Sequence, residues 1–566
     1  MHKSGKWLIR IAVTGILFLL LFCGCAAADK PAVTASCPSV CGEKVAARVT
    51  KSEQILDLPG SWDLTRIVLE IGDLQTAYFG PDRTEIPLGR ETDLSGLVNG
   101  QRLAVRNEKQ VEVASVRVEQ GSRIPAMFLE ADKTTLSKAN INKNIQVTEG
   151  RMLYLEADGS VSYDGALQQL RGRGNNSFLY SKKPYQLKLQ EKASLSGMGR
   201  GKTWVLLANW VDVSLLRNQI VLDLCRQTGM RNAVSCVQAD VWINGVYHGL
   251  YLLTEKIQIG KGRIDITNLE KETEKVNPVP FDPGKMYMER SAEHPILRCY
   301  PGLADPEDIT GGYIMTIEKP GRMDGNRLAG FRTEGGLNIR IKEPTCPSKA
   351  QTEYLFSLIT EMHSALAASD GTNSATGKSY GEYLDADSFA QRFLIEDWTK
   401  NYDYLGGSIF MYKDSDTVDP LIYAGPSWDY DLCFGNMRNV GPDPTGRHVT
   451  GKRNASNIWW ALFRHDSFRR KLCDVWQKEF RPAVAVLLGE KEAGPDSVIR
   501  PLDEYRDHIS ASVEMNTRRW GISKEATGIG SGGGFDKAVE FLRKWITKRT
   551  AWMDEAYTPE AMANIN

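Results

Sequence analysis

Net charge, clusters of basic residues and membrane-length apolar runs are all scarce in this sequence. Lysine plus arginine total 70 among 566 residues, and so do aspartate plus glutamate, which gives a formal net charge of zero. This balance implies no polyanionic partner, and no basic cluster typical of nucleic-acid binding occurs. Nucleic acid is therefore not expected as a partner.

The apolar run at residues 11–22 is too short for a comfortable membrane span. It follows a basic N-terminal segment, as in a signal peptide, and a small residue directly precedes Cys25. This arrangement resembles a bacterial lipobox, in which the cysteine is freed by cleavage and lipidated. We expect residues 1–25 to be a lipoprotein signal peptide with Cys25 as the lipid attachment site. The mature chain would then be exported and anchored to the membrane of the cell envelope; an ordinary cleaved signal is the alternative.

Closely spaced cysteines are also few. Export permits disulfides, and Cys37 with Cys41, or Cys225 with Cys236, are near enough in sequence to pair, although sequence does not fix the connectivity. The CPSVC spacing also suits zinc, but no second such pair follows. Zinc is therefore not favoured.

A chain of 566 residues predicts two or three structural units. We expect residues 26–54 to be a tether, because they are rich in alanine, lysine and serine. In residues 55–122, short apolar runs alternate with turn residues, which predicts a small β-rich module. Nothing in either segment indicates catalysis.

From residue 123 the pattern predicts strands, followed by a basic, glycine-containing loop in LRGRGNNSFLYSKKPYQLKLQ. Glycines allow backbone N–H groups to approach a phosphate closely, and lysine or arginine supplies the charge. Arg171, Arg173, Lys183 and Lys188 are therefore candidate phosphate ligands, although a solvated basic turn would look the same. Residues 260–345 are rich in proline, glycine and charge, and we interpret them as an insertion-rich connection with one strand at GGYIMTIEKP.

After Pro347 the spacing of apolar residues becomes helical. One predicted helix ends near Asp403, and an apolar hairpin then leads to Asp429 and Asp431. Residues at i and i+2 of a strand face the same side, so two acids there need a shared proton or a cation. A hard divalent metal is the first candidate, because Mg²⁺ binds through one or two carboxylates together with substrate phosphates.

The order of these motifs resembles the CotH family, the spore-coat kinase-like proteins of the atypical secreted kinases. The matching motifs are RGRGNNSF with KKPYQLKL, WVLLANWVDVSLLRN, VWINGVYHGLYLLTEKI, NYDYLGGSIFMY and SWDYDLCFG. The resemblance covers roughly residues 123–556. It implies an α+β, two-lobed, kinase-like fold, with a β-rich N-lobe at about 123–345 and a helical C-lobe at about 346–556. It also implies ATP and Mg²⁺ or Mn²⁺ as cofactors, and phosphorylation of extracytoplasmic or cell-surface proteins.

Carried over position by position, Asp403 resembles the catalytic aspartate that accepts the substrate hydroxyl proton. Asp429 resembles the metal-binding aspartate, with Asp431 beside it. Lys188, or less favourably Lys183, resembles the strand lysine that holds the α- and β-phosphates. Such roles suit phosphoryl transfer, because its catalysis depends chiefly on positioning and charge neutralisation.

One position departs from the family pattern. Five residues after Asp403, where kinases have asparagine as a second metal ligand, this chain has Ser408. Serine is a weaker ligand, so a catalytically inactive kinase-like scaffold or adhesion lipoprotein is the first alternative. A glycan-active hydrolase using Glu396, Asp403 and Asp429 is a lower alternative, because it leaves the basic loop unexplained.

Overall fold

The structure is a computed structural model, and it describes residues 31–40, 42–98, 100–325, 328–437, 442–454, 456–522, 533–563 and 565. The expected signal peptide, Cys25, Cys41 and most of the glycine-rich segment 528–534 lie outside these residues. No helix in the described part is long and apolar enough to cross a bilayer.

The first strands of the chain form an N-terminal β region. They are β1 (Val33–Ser36), β2 (Lys44–Ala46), β3 (Arg48–Val49), β4 (Gln54–Leu58), β5 (Ile67–Ile71), β6 (Thr76–Phe79), β7 (Thr84–Pro87), β8 (Glu91–Thr92), β9 (Leu103–Arg106) and β10 (Glu112–Gln120). Residues 33–36, 44–46 and 48–49, expected to be part of a tether, are strands instead. The reason is burial, because Val33, Ala35 and Val45 pack into one core with Leu56 and Leu69.

The next strands are β11 (Ala126–Ala131), β12 (Gly150–Leu155), β13 (Val161–Gly172), β14 (Tyr185–Ala193), β15 (Gly201–Leu207), β16 (Cys236–Ile243) and β17 (Val246–Glu255). They are ordered β15-β14-β13-β12-β11-β16-β17, and β15 also pairs with β17, so this sheet closes on itself. Asn244 and Gly245 both have positive φ (50° and 77°), which gives the tight β16–β17 turn that the Asn-Gly pair predicts.

The N-terminal β region is continuous with this closed sheet. Strand β2 pairs with β17 through Ala46 and Val246, and the order continues β2-β1-β5-β8. The other N-terminal strands form a separate sheet in the order β3-β4-β10-β9-β6-β7. The expected module at 55–122 therefore shares a sheet with the strands that follow it.

A third sheet contains β18 (Tyr287–Glu289), β19 (Ile296–Cys299), β20 (Tyr313–Ile317), β21 (Gly330–Arg332), β22 (Asn338–Glu343), β23 (Ile409–Lys413) and β24 (Ile422–Ala424), in the order β18-β19-β21-β22-β20-β23-β24. Residues 260–345 thus contribute five strands to this sheet, β18 to β22, where only the strand now seen as β20 was expected. Because β20 pairs with β23, the sheet also crosses the expected lobe boundary at 345/346.

The helices complete a mixed α+β fold. They are α1 (Lys133–Ala139), α2 (Arg217–Gln227), α3 (Leu269–Val276), α4 (Pro320–Gly325), α5 (Lys349–Ala367), α6 (Ala386–Thr399), α7 (Ile458–Phe463), α8 (Asp466–Val475), α9 (Arg481–Leu487), α10 (Leu502–Trp520), α11 (Phe535–Ala556) and α12 (Pro559–Ala563). Ser348 and Gln351 form a capping box at the start of α5. Helices α7 and α8 are separated by Arg464 and His465.

Two buried charges join distant helices to this framework. The carboxylate of Asp397 in α6 accepts bonds from Arg549 Nη2 at 2.8 Å, the Tyr557 hydroxyl at 2.7 Å and the His448 N–H at 2.6 Å. Glu119 at the end of β10 is buried and forms an ion pair with Arg518 of α10. Side-chain contacts, and not chain connectivity, therefore fix α10 and α11 in place.

The described cysteines are free thiols. Cys225 and Cys236, which could have formed a disulfide, are both buried and unpaired to each other. Cys236 Sγ instead contacts Asp223 Oδ1 at 3.8 Å. The Cys37–Cys41 pairing involves Cys41, which lies outside the described residues.

Candidate active site

The two acids of the SWDYDLCFGN segment lie in a loop after β24, and not on a strand as predicted. The start of α2 fixes the loop backbone. Asn218 Oδ1 accepts a 2.7 Å bond from the Tyr430 N–H, and Arg217 Nε donates to Cys433 O at 3.0 Å. Asp429 has a φ of +73°, a conformation that costs energy for a residue with a side chain. The backbone around both acids is therefore held from outside the loop.

The residue between the acids points away from them into the core. The buried Tyr430 hydroxyl donates to Glu396 Oε1 at 2.7 Å, and Arg392 Nε donates to the same oxygen at 2.8 Å. Arg392 also donates to Pro426 O at 2.9 Å and to Ser408 O at 3.1 Å. Glu396 is fully buried and occupied by these partners, so it is not available to act on a sugar.

Three carboxylates line one cleft of about 290 Å³: Asp403, Asp429 and Asp431. Burial raises the pKa of Asp429, and the neighbouring Asp403 raises it further. Burial followed by the charge of Asp429 raises the pKa of Asp431 well above its ordinary value. Ser408 Oγ donates to Asp429 Oδ2 at 3.3 Å. Like charges brought together in this way favour a cation or a proton between them.

Asp403 lies in the turn after α6, which ends at Thr399 with Lys400 in the left-handed conformation (φ 46°). Its Oδ1 accepts a 2.7 Å bond from Lys319 Nζ. Lys319 follows β20, and its ammonium group also lies 5.0 Å from the centre of the Tyr402 ring. Asp403 is thus held by a lysine that follows a strand more than 80 residues earlier in the chain.

Positive side chains line the same cleft: Arg173, Lys319, Arg322, Arg340 and Lys342. The guanidinium of Arg173 lies 5.3 Å from the centre of the Trp428 ring. Burial, together with Arg340 and Arg173, lowers the pKa of Lys342 to about 7. The Arg340 Nε is buried without a hydrogen-bond partner among the described residues. This concentration of incompletely neutralised positive charge favours a bound anion.

A family model described as CotH kinase protein matches residues 170–553, about two-thirds of the chain. The chain belongs to the CotH family. No curated protein gives a match to it. Family membership supports a kinase-like function in general terms, and the cleft contains acids and cations of the kind that such a function uses.

The CotH structure brings together some of the sequence-predicted residues. Asp403, Ser408, Asp429, Asp431 and Arg173 all line the cleft. The glycine loop does so too, through residues 174–177. Gly174 has a φ of +88°, and a Cβ there would lie 2.1 Å from Ser177 Oγ, so the loop conformation requires glycine at this position.

The other predicted phosphate ligands are not among the residues that line the cleft. Lys188 is exposed on β14, on the face opposite the buried Leu187 and Leu189, because side chains alternate along a strand. Lys183 Nζ donates to Phe178 O at 2.8 Å. Arg171 is directed to Gln186 Oε1, at 3.4 Å.

The cations that sequence reasoning missed in this CotH chain are Lys319, Arg322, Arg340 and Lys342. All four belong to the segment interpreted as a connection. A signal was present in NIRIKE, where apolar Ile339 and Ile341 alternate with Arg340 and Lys342. Period-2 alternation predicts a strand with one basic face, which β22 is.

Proposed function

We propose that this CotH chain is a protein kinase, transferring the γ-phosphate of ATP to serine or threonine side chains of extracytoplasmic or cell-surface proteins. The observation that carries the proposal is the single cleft in which three carboxylates face Arg173, Arg340 and Lys342. A nucleoside triphosphate needs cationic partners for its phosphates, and phosphoryl transfer also needs a base and a metal site. Residues from the closed sheet and from the third sheet would then act as two lobes around the nucleotide.

The residues fit a hard divalent metal bound with the substrate. Among the described residues, no group of three or more histidine, cysteine, aspartate or glutamate side chains is arranged to hold a metal alone. Mg²⁺ requires no such group, because it binds through one or two carboxylates together with substrate phosphates. Asp429 and Asp431 would hold Mg²⁺ or Mn²⁺, with the Ser408 hydroxyl next to Asp429. When bound, the metal neutralises charge on the β- and γ-phosphate oxygens.

Asp403 would act on the acceptor. The acceptor hydroxyl oxygen forms a bond to the γ-phosphorus, the bond from that phosphorus to the bridging oxygen of ADP breaks, and the hydroxyl proton passes to Asp403. Since Lys319 occupies Oδ1, the other oxygen, Oδ2, is the one to accept this proton. The Lys319 ammonium keeps the carboxylate oriented, and Arg173 and Lys342 contact the phosphates.

The test is transfer of labelled γ-phosphate and ATP-induced thermal stabilisation, measured on the full mature chain with Mg²⁺ or Mn²⁺. We expect Asp429→Ala to abolish both signals and Asp403→Asn to abolish transfer while keeping nucleotide binding. Asp265→Ala, at an exposed position outside the cleft, is the matched control and keeps both. Absence of nucleotide binding by the parent chain with either metal would refute the proposal.

The Ser408 hydroxyl supports a second candidate function, a catalytically inactive kinase-like surface scaffold or adhesion protein. Ser408 donates to Asp429 where an asparagine amide would present an oxygen ligand, and Gly406 and Gly407 precede it. If the parent chain binds nucleotide but transfers no phosphate, and Ser408→Asn restores transfer, the results favour this function over an active kinase.

We also propose that Cys25 carries the lipid that anchors the exported chain. The support is the lipobox-like sequence alone. Incorporation of labelled fatty acid into the parent chain, and its loss in Cys25→Ser, is the expected result; equal labelling of both chains would contradict it.

A further inference from the structure

A second cavity, of about 300 Å³, lies between α2, β16 and the segment leading into α10. It is separate from the catalytic cleft, because the two share no lining residue. Its polar lining includes Arg226, Arg500, His508, Gln219 and Gln238. Neither the family match nor the proposed kinase activity accounts for it.

The carboxylate in the wall of this cavity is already occupied. Asp223 Oδ2 accepts a 2.8 Å bond from the buried Tyr505 hydroxyl, and its Oδ1 lies 3.8 Å from Arg226 Nη1. Burial raises the pKa of Asp223 to about 6. The Asp223–Arg226 contact is too long for a strong ion pair, so Arg226 retains most of its capacity to bind an anion.

Arg500 is near Asp223, and its positive charge lowers the pKa of that carboxyl against the effect of burial, but the two form no direct ion pair. The Arg500 guanidinium lies 4.9 Å from the centre of the Tyr505 ring, and it forms no ion pair with a described aspartate or glutamate. Burial lowers the pKa of the His508 imidazole, and the nearby positive charge of Arg500 lowers it further. The cavity therefore carries a surplus of positive charge and several N–H donors.

The wall of the cavity also contains a buried hydrogen-bond acceptor that lacks a donor. Gln238 is 1% exposed, and its Nε2 donates to Leu215 O at 3.0 Å, but its Oε1 has no hydrogen-bond partner among the described residues. A buried acceptor without a donor is costly, and a ligand that donates one hydrogen bond removes that cost.

We infer that this cavity binds the phosphate group of a small phosphorylated molecule. Two guanidinium groups and an imidazole offer more donors than the two oxygens of a carboxylate accept, whereas three terminal phosphate oxygens match them. A protonated phosphate, or a hydroxyl group of the attached molecule, supplies the hydrogen bond that Gln238 Oε1 lacks. Sulfate is fully ionised at neutral pH and supplies none, so the cavity discriminates between the two oxyanions.

Isothermal titration of the full mature chain with inorganic phosphate tests this inference. All chains carry Lys342→Met, so that phosphate binding in the catalytic cleft is weakened and does not mask the second site. We expect phosphate to bind the parent, sulfate to bind at least about tenfold more weakly, and Arg500→Met to weaken phosphate binding by about tenfold or more. Arg506→Met is the matched control on α10, since Arg506 is paired with Asp507 at 2.7 Å, and it leaves phosphate binding unchanged.

Arg500→Lys keeps the charge but removes the planar fork, and it serves if Arg500→Met does not fold. Weakened phosphate binding in this variant supports the site. No phosphate binding by the parent, undiminished binding in the Arg500 variants, or sulfate binding as tightly as phosphate would each overturn the inference. None of these results depends on kinase activity, so the second site and the proposed function are tested independently.

Discussion

An Asp429→Gly chain should be more stable than an Asp429→Ala chain, and both should lose metal binding. A φ of +73° is unfavourable for most residues with a Cβ, alanine included, by about 1–2 kcal/mol, whereas aspartate and asparagine tolerate it better. Glycine avoids this cost but loses about 0.4–1 kcal/mol more conformational entropy on folding than alanine does. The difference between the two substitutions is therefore expected to be on the order of 1 kcal/mol in favour of glycine.

Urea unfolding in the presence of a chelator measures this difference without contribution from a bound metal. Asp429→Ala and Asp429→Gly both remove the carboxylate, so the comparison isolates the backbone. Asp429→Asn is the control for charge, because it keeps a polar side chain that tolerates positive φ. If Asp429→Ala proves as stable as Asp429→Gly, the loop is not strained at this residue and the reasoning is refuted.

Three further predictions concern charges elsewhere in the chain. Burial raises the pKa of Glu119 to about 7. Between about pH 4.5 and 7 the folded chain therefore keeps a proton that the unfolded chain releases, so the stability contributed by Glu119 declines as the pH rises through this range. Glu119→Gln should therefore match the parent near pH 4.5 and exceed it at pH 8, by at most on the order of 3 kcal/mol in urea unfolding; equal pH profiles would contradict this. Asp397→Ala leaves Arg549 buried without its partner and should lower the free energy of unfolding by about 3–5 kcal/mol. The double variant Asp397→Ala with Arg549→Met should lose less stability than the sum of the two single losses, and strict additivity would show that the pair is not coupled. Lys342→Ala should weaken ATP binding about tenfold or more by titration calorimetry, whereas Lys188→Ala should leave it unchanged, and the reverse result would restore the original assignment.

The sequence predicts local elements well in this chain because their signals are local. Apolar spacing predicts the helix after Pro347 and the helix ending before Asp403, and the Asn244-Gly245 pair predicts the β16–β17 turn. The acids Asp403, Asp429 and Asp431 share the cleft that the resemblance implied for them.

What the sequence could not supply is the placement of side chains across distant segments. Lys188 looked suitable because it follows a glycine loop, but the alternation along β14 directs it away from the cleft. Lys319 gives no sign in sequence that it meets Asp403, since their contact depends on the pairing of β20 with β23. The early strands were missed because β1 and β2 are short and are stabilised by partners in β5 and β17.

The pairing of β20 with β23 has a mechanical consequence for any opening and closing of the cleft. Lys319 follows β20, and Lys342 lies on β22 of the same sheet, which β23 joins directly after Ser408, so we expect these groups to keep their positions relative to Asp403. Arg173 follows β13 of the closed sheet, and it meets the acidic loop through Trp428. A hinge motion between the two sheets would therefore leave the spacing of Asp403 and Lys319 unchanged, and would alter the contact between Arg173 and Trp428.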